Sequence, residues 1–248
     1  MAREGDEHLQ NRSHGVEGFR ETEDTGRLLA LSDGVFAFAM TLLVINLTVP
    51  SALTLNAPPY AGLPTSVAIT RYLASEWATF VSYVVAFMVI GLWWTIHRRV
   101  FRYIQGVDTL LNWTNLMFLL FIAVTPFVTG LDGVYGTTGI AVAIYSSVQC
   151  AAGITMAMIA LHVSSTPWLA HPAADRLVLE ESAQTSFMMA GIFAVSASLA
   201  QYSPADAQYA YYALIVVALW RHNRGTRAHM GRPRGPTTVS YAPSQGSS

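Results

Sequence analysis

Three polar strings interrupt apolar stretches of this 248-residue chain, and their residue types are those that bind ions, relay protons or tie helices together. Arg27, Ser32 and Asp33 stand at the start of one apolar run. Trp94 and His97 close a second, just before Arg98 and Arg99. Asn112 and Asn115 open a third. An unpaired charge in such a segment costs a few kcal/mol when the segment enters a bilayer, so Asp33, one or two turns into its run, requires a partner. Trp94 and His97 are three residues apart and share a helix face. Both offer N–H donors at the depth of Ser32 and Asp33, and Asn115 adds a donor and an acceptor there. One buried cluster of Arg27, Ser32, Asp33, Trp94, His97 and Asn115 satisfies all of these groups at once. Its role is then structural: it holds the first helix at its inner end. Two other readings stand beside it. Asp33 and His97 could ligate ions or carry protons, since imidazole changes charge near neutral pH. Alternatively, the six residues simply mark the headgroup region on separate faces.

The elements that must position these residues follow from composition. The chain is 52% hydrophobic and 12% charged, against roughly 25% charged in soluble domains. A soluble surface cannot absorb that excess, so it faces lipid. The expected fold is an all-α integral membrane protein with six transmembrane helices, at 28–49, 77–97, 110–129, 138–163, 183–202 and, shorter, 207–220. Residues 51–70, rich in Pro, Ala and Thr, read as an exposed loop. Residues 1–26 and 223–248 read as disordered cytoplasmic tails around a membrane domain at 27–222. Arg98, Arg99 and Arg102 lie between the second and third runs, and Arg221, Arg224 and Arg227 follow the sixth. The connections on the other side hold only Arg71. The excess of basic residues on cytoplasmic loops then puts both termini in the cytoplasm of a multi-pass cell-membrane protein. A net charge of -1 gives no case for nucleic acid. The single cysteine, Cys150, cannot form an intrachain disulfide.

From Arg27 to Leu43 the chain reads Arg-x-x-x-x-Ser-Asp-Gly-Val-Phe-Ala-x-Ala-x-Thr-Leu-Leu. Downstream come Trp94-x-x-His97 with Phe101 beyond it, then Asn115-Leu-x-Phe-Leu-Leu-Phe-Ile-Ala leading to Thr125-Pro126-Phe127-Val128-Thr129. In order and membrane depth these motifs resemble the transmembrane protein 175 family of potassium channels, in its prokaryotic branch. The match covers about 100 residues, the first three helices. It departs from the family at Leu31, where Phe is usual.

The resemblance implies a homotetramer of six-helix subunits whose first helices line a central pore. Potassium would pass down its gradient with weak preference over sodium, and no carbonyl filter is used; the chain has no Thr-Val-Gly-Tyr-Gly string. By the same resemblance Phe38 forms the narrowest ring, Thr41 a polar ring, and Leu42 and Ile45 the outer apolar rings. The family usually has Leu or Ile at the position of Phe38. These four residues fall at i, i+3, i+4 and i+7, one stripe of a helix. By spacing alone that stripe serves equally to pack on the chain's own helices. The expected partners are lipid, monovalent cations and further copies of the chain; no cofactor is implied.

Three other functions bear comparison with the sequence. A secondary transporter built from repeats needs paired broken helices, and no matched pair is legible. A proton-permeable cation channel differs only in the permeant ion. A membrane enzyme needs a motif such as Gly-x-Ser-x-Gly or His-Glu-x-x-His, and neither occurs. The remaining histidines sit in tails or at helix ends and read as solvated.

Overall fold

The computed structural model describes residues 24–171 and 176–212. Residues 1–23 of the tail predicted at 1–26, the tail predicted at 223–248 and the predicted sixth span beyond residue 212 lie outside the described residues; 24–26, expected to be disordered, are helical and open the first helix. The described elements are α1 (Asp24–Asn46), α2 (Ala52–Leu55), α3 (Thr65–Ser75), α4 (Trp77–Phe101), α5 (Thr109–Tyr135), α6 (Gly139–Ser165), α7 (Arg176–Leu199) and α8, which begins at residue 204. Four of these, α1, α4, α5 and α6, are long and apolar enough to cross a membrane.

The segment after α1 departs from the expected loop, because α2 and α3 are helical. The Ser51 hydroxyl accepts the Thr54 N–H at 3.1 Å and starts α2. Pro64 stands at the N-terminal boundary of α3, where a missing N–H does no harm. Tyr72 on α3 reaches back to the Thr48 hydroxyl at 3.0 Å. Helix α7 also starts earlier than residue 183. Its first turns carry Arg176, Glu180 and Glu181, and such a polar opening hides a helix from a reading based on apolar runs.

Asp108 caps α5 by accepting the Leu111 N–H at 2.6 Å. Pro126 inside α5 cannot donate to the preceding turn. Hydroxyls serve the backbone around it: Thr125 donates to the Phe121 carbonyl and Thr129 to the Thr125 carbonyl, both at 2.8 Å. Such side chains make a proline tolerable in a membrane helix.

Membrane helices gain little from burying apolar area against one another, so close packing and interhelical hydrogen bonds must hold them. Helices α6 and α7 meet through small residues: Ala152, Gly153, Ala157 and Ala160 face Ser182, Ala183, Ser186 and Ala190, all buried. A Cβ on Gly153 would lie 2.9 Å from the Ala190 Cβ and 3.0 Å from the Ser186 carbonyl oxygen. Gly153→Val is therefore expected to cost about 1–3 kcal/mol through overpacking. It should lower the temperature at which the detergent-solubilised protein loses its monodisperse chromatographic peak; an unchanged temperature would mean that α6 and α7 are not so closely seated. A core hydrogen-bond chain joins α4, α5 and α6. Trp93 on α4 donates to Gln149 on α6 at 3.0 Å, and Gln149 donates to the Thr125 hydroxyl on α5 at 3.1 Å.

Candidate functional site: the face and the anchors of the first helix

Helix α1 has two faces. Leu28, Ser32, Phe36, Ala39 and Leu43 are buried, at the four- and three-residue spacing of one helix face. That face fills the groove between α4 and α5, where the Phe36 ring meets His97 at 5.6 Å and Phe118 at 5.9 Å between centroids. The opposite face is bare. Phe38 is 64% exposed and Ile45 68%; Leu31 and Thr41 are also exposed, and Leu42 is half-buried. Of the stripe Phe38, Thr41, Leu42 and Ile45, only Leu42 is partly covered by the chain's own helices among the described residues; the other three are not. The opposite stripe already occupies that groove. The most apolar stretch of α1 is 28% buried, against 44% in α4 and α5 and 50% in α6, although α1 is the most apolar of the four.

Two sets of polar contacts fix this orientation at the end of the bundle that carries Arg98 and Arg99. The first runs from α4 through α5 to α1. Ser32 Oγ donates to the Leu28 carbonyl at 2.9 Å, so it can only accept from Asn115 Nδ2 at 3.1 Å. Asn115 Oδ1 therefore faces His97 Nε2, at 3.0 Å, and that nitrogen carries the proton. His97 is fully buried. Its ring stacks on Phe101, 3.9 Å between centroids, and lies nearly parallel to Phe118 at 5.7 Å. Its Nδ1 has no partner. A proton placed there would be a buried donor with no acceptor, which is costly, so His97 serves as a neutral strut.

In the second set, the Trp94 indole N–H donates to Asp33 Oδ1 at 2.9 Å. The Arg98 guanidinium lies 4.9 Å from the centre of the Trp94 ring, within cation–π range. Five of the six residues expected in one polar cluster are thus engaged between α1, α4 and α5, but as two separate sets. Arg27 is the correction. It is exposed and makes no ion pair or hydrogen bond among the described residues. Counting forward by four and three from Arg27 leads to Leu31, Gly34, Phe38, Thr41 and Ile45. Arg27 therefore lies on the bare face, and Arg98 is the arginine that supports the Asp33 contact.

Sequence reasoning missed two further anchors. At the other end of α1, Asn46 Nδ2 donates to the Pro126 carbonyl at 2.9 Å. A Cβ on Gly130 would stand 2.6 Å from Asn46 Oδ1, so the glycine gives the amide its place. The Thr-Pro string was legible; that it receives Asn46 was not. Near the arginine end, Asp108 pairs with His162 at 2.7 Å, so His162 is not simply solvated. Burial pushes the Asp108 carboxyl up. The Leu111 N–H and the bond and charge of His162 outweigh that and hold it below the usual carboxylate range. The connection leading to Asp108 is itself clasped: the Gln105 N–H bonds the Leu169 carbonyl at 2.9 Å, and the Thr25 hydroxyl of α1 reaches the Gln105 carbonyl at 3.4 Å. Among the described residues no group of acidic, histidine or cysteine side chains could hold a metal ion.

Comparison with known proteins points to one family. Residues 27–126 match the family model described as endosomal/lysosomal potassium channel TMEM175; they include Ser32, Asp33, Phe38 and Asn46 of α1 and Trp94, His97, Asn115 and Pro126 of α4 and α5. A potassium channel of Streptomyces collinus is 35% identical over 61% of this chain and 70% of its own length. One of Chamaesiphon minutus is 28% identical over 63% of this chain and 74% of its own. The fold also matches the crystal structure of a lysosomal potassium-selective channel TMEM175 homolog from Chamaesiphon minutus, with a TM-score of 0.69 at 24% identity, over 81% of this chain and 99% of that one.

Proposed function

The chain belongs to the TMEM175 family of potassium channels, and from that premise we propose that potassium passes along the bare face of α1 where copies of the chain converge. The carrying observation is that exposure. The most apolar helix leaves Phe38, Thr41 and Ile45 uncovered, while its other face is pinned to α4 and α5 by hydrogen bonds at both ends. A helix that faced only lipid would not need such fixed rotation.

In this reading four six-helix subunits surround an axis in the cell membrane, with both termini in the cytoplasm. Phe38 forms the constriction, and Leu42 and Ile45 form apolar rings beyond it. An apolar constriction blocks ions by dewetting, without a plug. Thr41 adds a polar ring. Its hydroxyl donates to the Phe38 carbonyl at 2.8 Å, so the proton is used internally and the oxygen presents lone pairs outward. That arrangement suits a cation that has shed part of its water. Weak preference for potassium over sodium then follows from the lower dehydration cost of the larger ion.

The direct test is purified protein in liposomes loaded with potassium and diluted into sodium medium, with flux read by a proton-sensitive dye after a protonophore is added. Protein-dependent potassium efflux, faster than sodium flux under the reversed gradient, is expected. A dye response without protonophore would identify protons as permeant. Flux no greater than in protein-free liposomes, or flux that saturates and requires a second ion, would overturn the reading.

A further inference from the structure

At the end of the bundle opposite Arg98 and Arg99, a carboxylate sits where the conduction path makes no use of it. Asp132 on α5 is buried, 3% exposed. Its Oδ2 accepts from the Ser82 hydroxyl of α4 at 3.3 Å and from the Tyr211 hydroxyl of α8 at 3.1 Å. Its Oδ1 accepts from Gln208 Nε2 of α8 at 3.1 Å. All three donors are neutral. No arginine or histidine among the described residues pairs with Asp132. Buried charges are ordinarily paired, so an ionised Asp132 would call for a cation that the described residues do not supply.

The surroundings indicate which cation. Asp132 lines a cavity of about 500 Å³ at the bundle end, and Glu76 supplies a second carboxylate to its wall. The rings of Trp77, Tyr209 and Tyr212 line it as well, and Trp77 is 66% exposed at its rim. A bare or hydrated potassium ion would leave most of that volume empty, whereas it lies in the range of sites for small organic molecules, roughly 300–1,000 Å³. Carboxylates beside aromatic faces recognise ammonium groups, through charge-assisted hydrogen bonds and cation–π attraction. We propose that this cavity is a binding site for an organic ammonium group, carried either by a free amine or by an aminophospholipid headgroup at the membrane surface. Occupancy would join α4, α5 and α8 through Asp132. The site is separate from the α1 face, and its test does not depend on conduction.

The test is calorimetric titration of benzylammonium chloride into the full-length protein in phosphatidylglycerol nanodiscs, with benzyl alcohol as the neutral isostere. Saturable binding of benzylammonium but not of benzyl alcohol is expected. Asp132→Asn should weaken it at least about tenfold, and Trp77→Leu about threefold, in line with loss of one cation–π contact. Should Asp132→Asn fail to assemble, the Glu76→Gln, Trp77→Leu double variant at the rim carries the same test, with weakening of about tenfold expected. Repeating the titration in nanodiscs containing phosphatidylethanolamine separates the sources. Reduced apparent affinity identifies the lipid headgroup as the competing occupant, and unchanged affinity identifies a free amine. Absence of saturable binding by the wild type, equal binding of benzyl alcohol, or an unchanged Kd in the variants would overturn the proposal.

Discussion

Phe38→Ala is expected to raise single-channel conductance and to bring potassium and sodium permeabilities closer together. Phe38 has the largest exposed side chain on the bare stripe of α1. If four such rings meet at an axis, they set both the width of the path and the cost of wetting it. Truncation to methyl removes the bulk that dewets the constriction. Lowering the barrier by about 1.4 kcal/mol already gives a tenfold rise in rate, so an increase of roughly that size or more is anticipated. Selectivity falls with it, because a wider, wetter ring lets each ion keep more of its hydration. Phe38→Leu, which restores an aliphatic ring, should fall between the two. Recordings from reconstituted wild-type and variant protein in symmetrical and bi-ionic solutions decide the matter. Unchanged conductance and reversal potential in Phe38→Ala would remove Phe38 from the path.

The second large effect is expected at Asn115. Among the described residues this side chain alone links His97 to Ser32, and all three residues are fully buried. Asn115→Ala leaves the His97 Nε2–H without an acceptor and Ser32 without its donor. The orphaned imidazole N–H alone costs about 1–3 kcal/mol, a large share of a marginal stability. Trp94→Phe breaks a different tie to α1, but Asp33 is only half-buried and water can replace the lost donor, so the cost is smaller. The expected order of thermal stability is therefore wild type, then Trp94→Phe, then Asn115→Ala. A readout specific to the anchoring role accompanies it: Asn115→Ala frees the half of α1 that carries Ser32 to rotate, which should change open probability, whereas Gly153→Val should leave it alone. Equal stability of Asn115→Ala and the wild type would mean that the chain from His97 to Ser32 carries no load.

How far these features can be read from sequence differs between them. The spans announce themselves because lipid demands long apolar runs, and α1, α4, α5 and α6 meet that demand. Helix α7, expected as a span at 183–202, is not among the helices that meet it, and Glu180 and Glu181 occupy its first turns. Which residues form the polar contacts of α1 was legible from helix depth and shared faces, since Ser32, Asp33, Trp94, His97 and Asn115 are the few polar groups at that level. Their division into two sets, and the displacement of Arg27, depend on helix rotation. Rotation is fixed by apolar packing: Phe36, Ala39 and Leu43 choose the groove, and Arg27 falls on the far side as a consequence. Asn46 and Asp132 were not legible at all. Each takes its meaning from a partner about 80 residues away, Pro126 for Asn46 and Gln208 and Tyr211 for Asp132. No local pattern carries such pairings.

Chemical access to α1 during conduction tests the central claim most directly. In a Cys150→Ser background, single cysteines replace Thr41, Ile45, Ala39 and Leu43 in turn, and a small cationic thiol reagent is applied while potassium current is recorded. Block at positions 41 and 45 with none at positions 39 and 43 is predicted, because the first pair is exposed and the second is buried against α4 and α5. Current unaffected at 41 and 45 in channels that still conduct would contradict the account, since the ions would then be travelling elsewhere.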